Sequence, residues 1–137
     1  MTYLSKALVA CCECGHRKVL VNLVARCGLK PVIATSASDA VSLLGSGSAC
    51  VAFCQDDLPG GGFKAVLKAA EQATLPVVIC SRLADSPRYL ESMQLGAFDF
   101  ICLPYYHAEV AAVAAAMLHR FPPQTARPGS PNVRAAL

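Results

Sequence analysis

Short apolar runs alternate five times with segments of helical periodicity, and this alternation limits the possible folds more than any other feature of the chain. The predicted strands are residues 7–12, 31–35, 50–54, 76–80 and 98–102. The predicted helices are residues 16–27, 38–44, 63–72, 87–95 and 107–121. Continuous apolar strands are typical of a parallel sheet that is buried on both faces. The pattern therefore predicts an α/β domain with right-handed crossovers and helices on both sides of the sheet.

Composition agrees with one packed domain. Of 137 residues, 55% are hydrophobic and 15% are charged, which is enough apolar surface for an ordinary core. We predict a domain over residues 1–121 and a flexible, proline-rich tail over residues 122–137. No secretion signal is visible, and no apolar stretch reaches the roughly 18 residues of a membrane span. Without either segment, we expect a cytoplasmic protein that does not bind membranes. Since the net charge is only +3 and the basic residues are scattered, we also expect no direct binding to nucleic acid.

The carboxyl ends of the predicted strands are where a functional site is expected. In parallel α/β sheets, ligands bind at this edge, next to the point where the strand order switches. The residues at these strand ends and in the loops that follow include Cys11, Cys12, Glu13, Gln55, Asp56, Ser81, Arg82 and Leu103. This set mixes thiols, an amide, a hydroxyl and charged groups.

Four stretches of the chain resemble the bacterial receiver domain of two-component signalling. Residues 8–13 (LVACCE) stand where receivers have an apolar strand that ends in paired acids. Residues 54–60 (CQDDLPG) are similar to the phosphoacceptor strand and its turn, and residues 76–81 (PVVICS) to the fourth strand with its terminal Ser or Thr. Residues 95–105 (LGAFDFICLPY) resemble the GA-D-Y-x-x-K-P-F signature. The resemblance covers about residues 6–120 and implies a flavodoxin-like (βα)5 fold, with a parallel five-stranded sheet in the order 2-1-3-4-5.

The resemblance also implies which positions carry the chemistry of the family. In receivers, acidic residues hold magnesium, an aspartate accepts a phosphoryl group, a lysine contacts that group, and a Ser/Thr and an aromatic residue respond to it. These roles fall on Cys11 and Cys12 for the magnesium acids, Gln55 for the acceptor, Leu103 for the lysine, Ser81 for the switch hydroxyl and Phe100 for the switch aromatic.

Four of these positions lack the chemical group that the family uses. Magnesium prefers a hard oxygen shell, so the thiols of Cys11 and Cys12 are poor ligands for it. The amide of Gln55 is not a useful nucleophile toward phosphorus, and Leu103 cannot neutralise phosphoryl charge. We therefore expect a degenerate pseudo-receiver with no catalytic activity, no metal and no cofactor.

The eight cysteines have two readings. A chain this apolar, without a secretion signal, needs no disulfides, and free cysteines at strand ends behave as small hydrophobes. The second reading is a zinc or redox site that uses Cys11, Cys12 and Cys14. Cys54, Cys80 and Cys102 each stand one residue before a site position. Strand alternation therefore predicts that their side chains point away from the site, toward a helix layer. They would then be neighbours on adjacent strands.

Three functions follow from these observations. The first is a phosphorylation-independent module for protein–protein contact in signal transduction, which forms a homodimer through Tyr105, Tyr106, Ala108 and Ala112. In the resembled family, this region is a common dimer surface. The small residues of the last helix would allow another backbone to approach closely.

The other two functions use the strand-end site itself. One is a sensor of a small ligand or of thiol oxidation, with a pocket around Cys11, Cys12, Gln55 and Ser81. The other is an active receiver in which a shift of one residue makes Asp56 the acceptor. That shift breaks the spacing to the turn proline, and no shift restores the lysine.

Overall fold

The structure, a computed structural model, describes residues 5–60, 62–84 and 86–122 and contains five strands that alternate with five helices. The elements are β1 (Lys6–Ala10), α1 (Cys14–Arg26), β2 (Lys30–Ala34), α2 (Ala37–Gly45), β3 (Val51–Gln55), α3 (Gly62–Ala73), β4 (Val77–Ser81), α4 (Ser86–Gln94), β5 (Asp99–Cys102) and α5 (His107–Arg120). All neighbouring strands pair in parallel, in the order β2-β1-β3-β4-β5. The predicted flavodoxin-like fold is thereby confirmed.

Strand ends differ from the predicted ones by one or two residues. β1 ends at Ala10, so Cys11 and Cys12 lie in the following loop, whereas β3 includes Gln55 and β4 includes Ser81. The reason is that an apolar side chain does not reveal where backbone pairing stops. The proposed tail boundary stays a prediction, because residues 123–137 lie outside the described part of the chain.

Two hydrophobic clusters cover the two faces of the sheet. One packs β-strand residues against α1 and α5, and the other packs them against α2 and α3. The central strand β3 shows the period of two: Phe53 belongs to the first cluster and Cys54 to the second. Both are fully buried, as expected for a strand with helices on each side.

Helix α4 is attached differently from the other helices. Its one buried residue among those described is Ser92, whose hydroxyl donates to the Arg88 carbonyl at 2.8 Å within the helix. Its outward side chains include Leu90, which is 57% exposed. Because little apolar surface holds α4 to the sheet, polar contacts make up a larger part of its attachment.

Two helix ends have common capping features. The Ser36 hydroxyl accepts the backbone N–H of Asp39 at 3.1 Å and caps α2, while Gly28 follows α1 at φ +83°, a left-handed conformation that favours glycine. Within the described ranges, no helix combines the length and the apolar character needed to cross a bilayer.

Candidate functional site

The strand ends bring the predicted site positions to one edge of the sheet. Cys12 lies in the loop after β1, and its backbone N–H donates to the Gln55 Oε1 atom at the end of β3, at 2.9 Å. Leu103 follows β5, and its backbone N–H donates to the Ser81 carbonyl at the end of β4, at 3.0 Å. The edge expected from the sequence is therefore the edge on which these residues lie.

Gln55 is buried at the centre of this edge and is already hydrogen-bonded. Its side chain is 5% exposed, and Oε1 accepts both the Cys12 backbone N–H and, at 3.4 Å, the Cys12 thiol. The thiol is a soft group and a poor magnesium ligand, and the Gln55 amide supplies only a neutral oxygen, so the pair lacks the carboxylates that a magnesium site uses.

Cys11 and Cys12 are adjacent in sequence but lie in different environments. Cys11 is 1% exposed and belongs to the core cluster under α1 and α5, whereas Cys12 is exposed. Burial raises the pKa of the Cys11 thiol above its ordinary value. Of these two cysteines, Cys12 is the one shown in contact with Gln55. The two positions that correspond to the magnesium-binding acids of receivers therefore do not act together, because one lies in the core and the other on the surface.

Ser81 closes a local turn. Its hydroxyl, in a residue that is 4% exposed, accepts the Leu83 backbone N–H at 3.2 Å, and its carbonyl accepts the Tyr105 hydroxyl at 3.3 Å. Burial raises the pKa of Tyr105 well above the ordinary phenol value, so this hydroxyl remains a donor. The two bonds fasten the β4–α4 loop and the segment after β5 to the end of β4.

The acidic residues at the edge are paired with arginines. Arg82 contacts Glu13 at 3.3 Å and Asp57 at 3.5 Å, and Arg88 contacts Asp56 at 3.3 Å. Arg82 was singled out from sequence, but Arg88 was not. Arg88 is 32 residues from Asp56 in the chain, and no spacing or motif indicates that the two meet.

The Asp56–Arg88 pair is the more buried of these contacts. The Asp56 side chain is 10% exposed, and the Arg88 guanidinium also lies 5.3 Å from the centre of the Phe63 ring. This arrangement attaches α4 to the end of β3 and to the start of α3. The carboxylate that a shifted alignment would offer as acceptor is thus already held by a guanidinium.

The prediction for Cys54 and Cys80 is wrong in one respect. The parallel register places Cys54 opposite Ile79 and Gln55 opposite Cys80, so Cys80 shares a face with Gln55, and Cys54 lies on the other face. The prediction counted alternating side chains along each strand separately, and it did not include the register between β3 and β4, which pairs Cys54 with Ile79 and not with Cys80. Burial raises the thiol pKa of both cysteines.

The Cys14 side chain lies outside the described part of the chain; among the described side chains, no group of three His, Cys, Asp or Glu is arranged to hold a metal.

Thiol labelling should separate these environments. We expect a small alkylating reagent to modify Cys12 first, with Cys54 and Cys80 reacting at least about a hundredfold more slowly, because a buried thiol requires local opening. Peptide mass spectrometry over a time course gives the rate at each site. The Cys12→Ala variant should lose the rapid modification at this site. Equal rates at Cys12 and Cys80 would contradict the burial described here.

The predicted dimer surface is partly exposed. Tyr106 is 64% exposed, and Ala108 and Ala112 lie on the outward side of α5, opposite its packed residues. Tyr105 is half-buried and directs its hydroxyl to Ser81. Phe100, the predicted switch aromatic, is also half-buried and packs edge to face with Tyr89, with 5.7 Å between ring centres.

A cavity of about 880 Å³ lies at the opposite edge of the sheet, away from these residues. Its lining comes from the ends of α3, α4 and α5 and the start of β4, and includes Glu71, Leu75, Phe98 and Arg120. It contains none of the residues of the predicted ligand pocket. The small-ligand hypothesis therefore has no support from this cavity.

Comparison with known proteins identifies the fold class. No protein-family model matches the chain, and no curated relative matches it. Among solved structures, a response regulator receiver domain from Clostridium thermocellum has a TM-score of 0.77 at 18% identity, covering 85% of this chain and 96% of that one. A CheY-like receiver domain protein from Methanospirillum hungatei has a TM-score of 0.77 at 16% identity, covering 86% and 96%.

A third similar structure is the receiver domain of NtrX from Brucella abortus. Its TM-score is 0.76 at 22% identity, covering 83% of this chain and 98% of that one. Each comparison spans nearly the whole of the matched receiver domain. The chain therefore has the fold of response regulator receiver domains.

Proposed function

We propose that this domain is a degenerate receiver, a signalling module that acts through protein–protein contact without phosphorylation and catalyses no reaction. The observation that carries the proposal is the buried Gln55 amide, which stands at the acceptor position and accepts two hydrogen bonds from Cys12. We place it in a bacterial two-component or related pathway in the cytoplasm, in keeping with its receiver fold.

The charges at the edge support this proposal. Phosphoryl transfer needs a nucleophilic oxygen and cations that stabilise the charge on the transferred group. Here the acceptor position is neutral, Leu103 brings no charge, and Asp56 is held by Arg88 at 3.3 Å. An incoming phosphoryl donor would therefore meet no free carboxylate at the end of β3.

Contact through the α5 surface is the mode of action that we favour. Tyr106, Ala108 and Ala112 are exposed, so the domain can present an aromatic ring beside small residues to a second copy or to another signalling protein. Helix surfaces rich in small residues permit close backbone approach. We propose a homodimer through this surface, with no metal or cofactor.

The sensor alternative has weaker support. Cys12 is exposed, which an oxidant sensor requires. However, its thiol is already engaged as a donor to the Gln55 amide oxygen at 3.4 Å. Ligand or redox sensing stays a prediction, and a bound ligand mass or a thiol adduct in a mildly purified sample would favour it.

Native mass spectrometry before and after treatment with acetyl phosphate and magnesium tests the proposal. We expect an unmodified dimer in both samples. The Ala112→Arg variant should be monomeric, because a charged side chain would occupy the proposed contact, whereas Ala25→Arg, on the exposed side of α1, should remain dimeric. A gain of one phosphoryl mass on this domain would overturn the proposal.

A further inference from the structure

We propose that the Arg82 guanidinium is a permanent internal cation that joins the loops after β1 and β3 and takes the place of a bound metal ion at this edge. The proposal concerns a role of Arg82 beyond the proposed function. It rests on the ion pairs alone and requires neither a protein partner nor a particular state of Gln55.

The geometry places one cation between two carboxylates from separate loops. Arg82 follows β4 directly; its Nη1 lies 3.3 Å from Glu13 Oε2, in the loop after β1, and its Nη2 lies 3.5 Å from Asp57 Oδ2, in the loop after β3. Three loops that are far apart in sequence therefore meet at one planar group. A guanidinium suits this role because its donors form a rigid fork that can serve two acceptors at once.

The charge distribution explains what the cation does. Glu13 and Asp57 each lie within 3.5 Å of the same guanidinium, so without it two negative charges would face each other across the edge. Two other arginines lie near this edge: Arg88 contacts Asp56 and Glu91, and Arg17 donates to the Cys11 carbonyl at 3.5 Å. The Glu13 carboxylate also contacts His16 Nδ1 at 3.4 Å, in the first turn of α1, and this contact does not reach the β3 loop.

An arginine differs from a metal ion in that its positive charge cannot dissociate from the protein. Its charge is covalently attached and is kept at all ordinary pH values, whereas a metal ion can leave. The attraction between the two loops is therefore independent of the magnesium concentration. The three side chains are 53%, 42% and 53% exposed, so the ion pairs are individually modest and their coupling is the quantity to measure.

A double-mutant cycle on folding stability tests the coupling. In the wild-type background, Glu13→Gln should lower the folding equilibrium constant by about two- to fivefold, because an attractive pair is lost. In the Arg82→Gln background, the same change should leave the constant unchanged or raise it, because it then removes repulsion from Asp57. An equal decrease in both backgrounds would overturn the proposal. Arg26→Gln, an exposed site on α1, is the control background with the same loss of charge.

A magnesium titration tests the substitution for a metal. We expect magnesium chloride to raise the thermal stability of the Arg82→Gln variant above its value in sodium chloride of equal ionic strength, and to leave the wild type unchanged. A variant without this response, or a wild type with an equal response, would overturn the metal-like role. Neither readout involves phosphoryl uptake or dimer formation, so failure here is distinct from failure of the proposed function.

Discussion

Raising the pH above about 9 should destabilise this domain steeply, because Cys54 and Cys80 are buried thiols with raised pKa values. In the unfolded chain, both thiols lose their protons near the ordinary value of 9.0, whereas in the folded domain both keep them. Above pH 9, the folded domain therefore binds more protons than the unfolded chain. The contribution of the two thiols to the free energy of unfolding is fully present below pH 9 and is lost as the pH rises. Each such thiol lowers the free energy of unfolding by about 1.4 kcal/mol per pH unit over the range in which it is ionised in the unfolded chain and still protonated in the folded domain.

Urea denaturation at several pH values measures this loss. The Cys54→Ala variant should show a slope shallower by about 1.4 kcal/mol per pH unit above pH 9, because one titrating group has been removed. Val66→Ala is the matched control, since Val66 is fully buried in the same cluster but does not titrate. It should lower stability at every pH and keep the wild-type slope. A wild-type slope in Cys54→Ala would contradict the assignment.

Restoring the receiver chemistry should produce the largest functional change. The variant Cys12→Asp, Gln55→Asp, Arg82→Gln, Leu103→Lys is expected to gain one phosphoryl mass from acetyl phosphate and magnesium, whereas the wild type gains none. Arg82 is replaced because we propose that its guanidinium takes the place of the metal ion. The two carboxylates supply hard oxygen ligands and a nucleophile, and the lysine supplies a cation for the phosphoryl group. Cys11 is kept, because it is 1% exposed and an aspartate there would lose its hydration inside the core.

Two further measurements make this experiment decisive. The same variant with Gln55 retained should take up no phosphoryl group, because the nucleophile is missing. If the full variant folds, its thermal stability should rise with magnesium. A folded variant with neither response would mean that these positions are not the site that the receiver resemblance indicates.

The fold and the position of the site could be predicted from the chain because both depend on periodicity. Continuous apolar strands separated by segments of helical spacing permit few arrangements, and parallel strands place their carboxyl ends at one edge. The loop motifs around Gln55, Ser81 and Leu103 have receiver spacing, so their identities as neutral residues could be read directly. Small errors arose at strand ends, as at Cys12, where side-chain character does not show the last backbone hydrogen bond.

The sequence by itself determined the order of the helices and strands, the edge of the sheet at which the site lies, and the absence of acidic side chains at positions 11, 12 and 55. Only the tertiary structure decided that Cys11 belongs to the core while Cys12 contacts Gln55, and that Arg82 and Arg88 neutralise the remaining carboxylates. The reason is physical: hydrophobic periodicity is a local property, whereas an ion pair between residues 25 or 32 positions apart depends on how separate loops meet in space.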